Sequence, residues 1–145
     1  MLPKDRPFVR AIWNLHLWAY KLSRGWIGSS LVGMPVMMLY SRGRRTGRSR
    51  ENLLTFIPHE DAFLIAGSNG GAVSSPGWYF NLKYEPRARI RWQGKLIEVR
   101  ARETRGQERE TYWNMFKSSV DSYARYEART SRLIPVLVLE PIKAN

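Results

Sequence analysis

The sequence predicts a single mainly β domain of α+β class, an antiparallel sheet or barrel carrying short helices. Three observations predict it. About six runs of strand character fall between residues 35 and 140. The stretches joining them are short, which favours antiparallel pairing over the long crossovers of a doubly wound sheet. The chain has 145 residues, the length of one domain with one core, and shows no internal repeat or low-complexity tract.

The elements follow in order. Residues 7–24 read as an amphipathic helix, with Phe8, Ile12, Leu15, Ala19 and Leu22 on one stripe, Pro7 suited to the first turn and Gly25 to the stop. Trp13 and Trp18 accompany that stripe, which leaves a packing helix and a helix lying in a membrane interface both open. Residues 1–30 are then a helix and connector, and 31–145 the sheet domain. Pro35–Tyr40 is the first strand, Asn52–Ile57 the second and Ala62–Gly67 the third, with a turn at His59-Glu60-Asp61. Ser68-Asn69-Gly70-Gly71 opens a loop. Ser75 reads as an N-cap with Pro76 at the first position of a short helix that stops before Pro86. Ala88–Gln93 and Lys95–Arg102 form a hairpin across Gly94, the second strand alternating as a half-solvated strand does. Thr104–Gln107 fits a capping box for a helix to Ser118 burying Tyr112, Met115 and Phe116. Another helical stretch carries Tyr123 and Tyr126. Leu133–Glu140 is a last strand, with Pro135 suggesting an edge or a bulge.

Composition removes several chemistries. There is no Cys, so disulfides, thiolate metal sites and a Cys nucleophile are excluded. His16 and His59 are the two histidines, and neither has a matching ligand or nucleophile pattern. No carboxylate pair, no G-x-G-x-x-G after a strand and no Walker loop are present. No metal is expected. No apolar run spans a membrane, and the N-terminal stretch is broken by Arg10, Asn14 and Lys21, unlike a signal peptide. A cytoplasmic protein is expected, with peripheral membrane contact through the first helix left open. Enzymatic chemistry would have to come from a cofactor of another class.

The formal net charge is +12, a field that attracts anions. It is sharpest at Ser41–Arg50, where five arginines fall in ten residues with no acid. Gly43 and Gly47 permit tight turning, Thr46 and Ser49 add hydroxyls, and guanidinium groups grip phosphate and carboxylate as a fork. A nucleic-acid backbone would favour the same residues. No helix-turn-helix, RRM signature or zinc finger accompanies them, so no specific nucleic-acid partner is expected. Behind the basic loop come the glycine-marked segment Ser68–Gly71 and the aromatic segment Pro76-Gly77-Trp78-Tyr79-Phe80-Asn81-Leu82.

Taken together, these segments resemble the deazaflavin-dependent nitroreductase family, also described as F420-dependent quinone reductases. The resemblance runs from about Met34 to Pro141 and includes Pro35–Leu39, the Gly43–Gly47 turn with Arg50, Ser68–Gly71, Pro76–Leu82, Tyr123, Tyr126 and Arg132-Leu133-Ile134-Pro135. It implies a split β-barrel of the flavin-reductase or FMN-binding-like class. It implies that Arg44, Arg45, Thr46 and Arg50 meet the phosphate and glutamyl tail of coenzyme F420. Glu51, Asn52, Leu53, Leu54 and Thr55 would follow the ring, with Ala66, Gly67, Ser68 and Asn69 opposite. Gly77, Trp78, Tyr79, Phe80 and Asn81 would close the pocket, and Tyr123 and Tyr126 would border the substrate as the candidate catalytic groups.

The implied reaction is hydride transfer from reduced deazaflavin to a small electron-poor acceptor. Nitro-reducing relatives carry a Tyr where Val120 stands, so a quinone or other conjugated carbonyl is implied ahead of nitro compounds. FMN in the same barrel is the alternative cofactor, although its one phosphate needs fewer arginines. A lipid-carrying relative without catalysis is the non-enzymatic alternative. A homodimer through the aromatic N-terminal helix is left open.

Overall fold

The computed structural model describes residues 30–31 and 34–143; the helix expected over residues 7–24 lies outside them. Strand β1 (Ser30–Leu31) precedes the long β2 (Met34–Arg42), followed by β3 (Ser49–Thr55), β4 (Ile57–His59) and β5 (Ala62–Ala66). A 3-10 turn at Asn69–Gly71 leads to α1 (Gly77–Tyr84). The hairpin is β6 (Arg87–Trp92) and β7 (Lys95–Glu103), and α2 (Gly106–Ser119), α3 (Ser122–Ala128) and β8 (Val136–Pro141) complete the chain.

Every strand pair is antiparallel, along the path β1-β2-β6-β7-β8-β5-β4 with β3 on the other side of β2. β3 and β4 are one strand bent at Phe56, whose N–H donates to Pro35 O at 3.1 Å. Its first half pairs with β2 and its second with β5, so the curled sheet returns on itself. The bend is where the barrel splits, and past it β3 pairs with no strand but β2 among the described residues.

Side-chain alternation explains the core. Met37, Leu39, Phe56, Phe63, Ile65, Ile90, Val99, Leu137 and Leu139 fill the interior, closed by Trp78 and Leu82 of α1. On the outside, α2 and α3 lay Trp113, Phe116, Tyr123 and Tyr126 over Leu64, Val136 and Val138. Val36, Met38 and Leu53 form a separate cluster on the outer side of β2 and β3. β2 is thus buried on both faces, which accounts for its nearly continuous apolar run. Gln93 and Gly94 turn the β6–β7 hairpin at φ 50° and 75°, the two left-handed positions of a type I′ turn.

Five local expectations are corrected. Eight strands form among the described residues rather than six, because β1 and β4 are only two and three residues long. The residue capping α1 is Pro76, not Ser75; the Ser75 hydroxyl instead accepts from Arg132 Nη1 at 3.1 Å. No capping box forms at α2, whose cap is Arg105. Thr104 is buried, and both its hydroxyl and its N–H donate to Val136 O, at 2.8 and 2.9 Å, tying the end of β7 to β8. The buried stripe of α2 is Arg109, Trp113 and Phe116 rather than Tyr112 and Met115, which are half-buried; spacing i, i+4, i+7 sets it. Lastly, β8 is a central strand between β7 and β5, and Pro135 precedes it. The missing amide of Pro135 therefore costs no ladder bond, while its carbonyl accepts the Gly67 N–H at 2.8 Å.

Candidate functional site

The β2–β3 loop is built by its glycines. The Gly43 N–H donates to Arg48 O at 2.7 Å and the Gly47 N–H to Gly43 O at 2.8 Å, with Gly47 at φ 72°, where a Cβ is disfavoured. Thr46 Oγ1 accepts the Arg48 N–H at 3.3 Å. This turn leaves Arg44, Arg45, Thr46, Arg48 and Arg50 exposed.

One arginine joins the loop to α1. Asn81 Oδ1 accepts Arg44 Nη1 at 2.9 Å and the Arg44 N–H at 3.2 Å. Nη1 also reaches Gly77 O at 3.3 Å, and the guanidinium sits 5.3 Å from the Phe80 ring centre. Asn81 is buried, so its amide is a fixed receptor for the loop. The loop, Gly77, Phe80 and Asn81 therefore meet where the loop leads into β3.

Along β3, Asn52, Leu54 and Thr55 are half-buried and Glu51 is exposed. Leu53 points to the outer side, packed with Val36 and Met38. At the far end, Thr55 Oγ1 and Tyr123 Oη share a hydrogen bond of 2.7 Å. Burial pushes the Tyr123 hydroxyl above its ordinary pKa, opposed by the Thr55 bond. The Tyr126 ring meets Tyr123 edge-on at 5.7 Å. β3 thus runs from Arg50 at the arginine loop to Thr55, which meets Tyr123 of α3, with Tyr126 edge-on to Tyr123.

The segment after β5 is held by a residue to which the sequence assigned no role. Arg132 Nη2 donates to Gly67 O at 3.1 Å, Ser68 O at 2.9 Å and Ser74 O at 3.3 Å. Its Nε reaches Ala72 O at 2.9 Å. One guanidinium thus organises residues 67–75 from a position about sixty residues on, a separation that no local pattern signals. Ala66 ends β5, Ser68 is buried, and Asn69 Nδ2 donates to Ser74 O at 3.1 Å. Gly71 lies against α3, where a Cβ would come 2.8 Å from Tyr126 O. Trp78 belongs to the barrel core, 5% exposed. The Tyr79 hydroxyl donates to the Glu103 carboxylate, and burial, then that hydrogen bond and the carboxylate charge, push it up to about 12.

Known proteins extend these observations. The family model described as F420H(2)-dependent quinone reductase matches residues 13–141. The chain belongs to the F420H(2)-dependent quinone reductase family. F420H(2)-dependent quinone reductases of Mycobacterium tuberculosis, from strains H37Rv and CDC 1551, are each 36% identical over 130 residues, covering 87% of either chain. A solved F420-H2 dependent reductase, FDR-A, is 32% identical with a TM-score of 0.68, over 73% of this chain and 94% of that one. A solved domain-swapped dimer is 28% identical with a TM-score of 0.70, over 90% and 99%. The fold is the split barrel of these reductases, the family is one of oxidoreductases, and its coenzyme is F420.

The residues fit an F420H(2)-dependent quinone reductase. The exposed arginines of the β2–β3 loop offer the cations that a phosphate and carboxylates would need. Ser41, the cross-strand partner of Arg50, has the single buried side-chain oxygen without a hydrogen-bond partner among the described residues. Among those residues no cluster of His, Cys, Asp and Glu forms a metal site, and no helix is long and apolar enough to cross a membrane.

Proposed function

We propose that F420 lies along the free edge of β3, its acidic tail on Arg44, Arg45, Thr46 and Arg50 and its ring toward Thr55. The observation that carries this reading is the Arg44–Asn81 joint, which fixes an acid-free arginine loop against α1. When bound, the reduced coenzyme supplies a hydride. The chain supplies the rest. Arginines neutralise the tail, Asn52 and Leu54 line one side, and the Ala66–Asn69 segment, braced by Arg132, lines the other. Gly77, Tyr79, Phe80 and Asn81 border the tail end, with Trp78 supporting them from the core.

The acceptor is a quinone, placed beside Tyr123 and Tyr126. The raised pKa of Tyr123 supports keeping its proton at physiological pH, available to a developing oxyanion. Val120, where nitro-reducing relatives have Tyr, favours quinones over nitro compounds. A homodimer is also proposed, supported by the domain-swapped relative, and light scattering measures it.

Titration of the protein with F420 and with FMN, followed by ligand fluorescence, tests the reading. Tight F420 binding, weakened in Arg44→Ala and Arg45→Ala, is expected, with FMN binding much weaker. Equal affinity for both flavins would assign the barrel to FMN instead, and binding of neither would reject the site.

A further inference from the structure

The helix that carries Tyr123 has little of its own to hold it. α3 is seven residues long, with no side-chain cap at its first turn, and a helix of two turns is marginal without tertiary partners. It follows α2 after only Val120 and Asp121. Its first turn is bonded through Tyr123 to Thr55 of β3 at 2.7 Å. Its last turn is bonded to α2 through Glu127, a residue outside the site described above.

Trp113 of α2 is fully buried, and its indole N–H is a donor that is costly to leave without a partner. That partner is the Glu127 carboxylate. Lys117 Nζ reaches the other carboxylate oxygen at 3.3 Å. The Glu127 side chain is 47% exposed, so its ion pair with Lys117 is worth little by itself; the buried indole is what makes the contact matter. Trp113 and Lys117 are four residues apart, neighbours on one face of α2. A carboxylate held by both fixes how far α3 slides along α2 and how it is rotated. Tyr123 and Glu127 are likewise four residues apart on one face of α3, and the same indole serves both. Its ring meets Tyr123 edge-on at 5.9 Å, and Phe116 meets Tyr123 at 5.1 Å.

We propose that Glu127 is a positioning residue for the reaction. By holding the Trp113 indole it sets the wall against which the Tyr123 ring stands, and so the direction in which the Tyr123 hydroxyl meets Thr55. Without Glu127 the buried N–H has to turn toward another acceptor, and the indole no longer supports the tyrosine. The link to turnover rests on the reading that Tyr123 serves the acceptor; the link to the Thr55 bond does not. The demand is for an accepting oxygen rather than a charge, so a carboxamide serves where a methyl group cannot.

The test uses the full chain with Glu127→Ala and Glu127→Gln, each alone and together with Tyr123→Phe. Glu127→Ala is expected to lower kcat for a quinone about tenfold and to leave the F420 affinity unmoved. Glu127→Gln, whose amide oxygen still accepts the indole N–H, should recover most of that loss. In the Tyr123→Phe background Glu127→Ala should have no further effect, because no hydroxyl remains to be aimed. Equal losses in both backgrounds, or full activity in Glu127→Ala, would overturn the proposal. Glu127→Leu takes its place if the alanine variant does not fold. Urea midpoints supply a second arm that is independent of turnover. Thr55→Val should lower the midpoint of the unmodified chain but not that of Glu127→Ala, where the Tyr123 bond is already lost. An equal drop in both would reject the positioning. If Tyr123→Phe leaves kcat unchanged, the role of the tyrosine at the acceptor fails instead, and the urea comparison alone decides Glu127.

Discussion

The carboxamide oxygen of Asn81 accepts both the backbone N–H and the guanidinium of Arg44, at 3.2 and 2.9 Å, across 37 residues of sequence. Two donors of one residue on one buried oxygen fix the loop's position and its arginine's direction together. Asn81→Ala removes that receptor. We expect a loss of about 1–2 kcal/mol in stability and weaker F420 binding, read by urea denaturation and fluorescence titration. Asn81→Asp keeps an acceptor and pairs it with the cation, so the loop should stay docked in that variant.

Variants at the bond between Thr55 and Tyr123 test catalysis apart from binding. Tyr123→Phe deletes one hydroxyl and leaves the ring packing with Trp113, Phe116 and Tyr126. Stability should fall by about 1 kcal/mol. If the hydroxyl serves the acceptor, kcat should fall while the F420 affinity stays the same. Thr55→Val removes the partner and keeps the donor, so its kcat should exceed that of Tyr123→Phe.

Tyr79 makes a pH prediction whose sign is set by its raised pKa. The folded protein holds the Tyr79 proton to about pH 12, whereas the unfolded chain releases it near 10. Below pH 10 both states are protonated and the contribution is fully present. Between pH 10 and 12 the unfolded state binds fewer protons, so stability falls as pH rises. Urea midpoints measured at pH 9 and pH 11.5 should drop less in Tyr79→Phe than in the unmodified chain.

What could be read in the sequence was local. The strand at Pro35, the hairpin at Gly94 and the helix after Pro76 carry their own period and punctuation, and all of them form. The turn of the basic loop was marked by its two glycines, and its charge by five arginines. The long-range joints were silent. Nothing around Thr104 indicated that its hydroxyl goes to Val136 of β8 rather than to a helix N-terminus. Nothing near Arg132 indicated the carbonyls of Gly67, Ser68, Ala72 and Ser74. A side chain with several rotamers can satisfy a cap, a carbonyl or water equally well, and only the assembled barrel selects among them. The resemblance supplied both Tyr123 and Thr55 as site residues, whereas the hydrogen bond between them appears only in the assembled fold.

Arg132 should therefore behave as a brace. Arg132→Met orphans several carbonyls, and a loss of about 2 kcal/mol is expected, together with faster hydrogen exchange confined to residues 67–75. Arg132→Lys restores a charge but not the planar fork, so it should recover part of the stability and little of the exchange protection.

Gly71 and Gly47 share a left-handed backbone, at φ 80° and 72°, but not a neighbourhood. At Gly47 an added methyl group meets open space, so Gly47→Ala should cost about 1 kcal/mol, the left-handed penalty alone. At Gly71 the same methyl would lie 2.8 Å from Tyr126 O and 3.0 Å from Tyr126 Cα. Backbone atoms cannot yield as a side-chain tip can, so α3 must shift and carry Tyr123 away from Thr55. Gly71→Ala should cost about 2–4 kcal/mol and lower kcat as Tyr123→Phe does. Equal melting temperatures for the two alanine variants would show that α3 does not depend on the Gly71 contact.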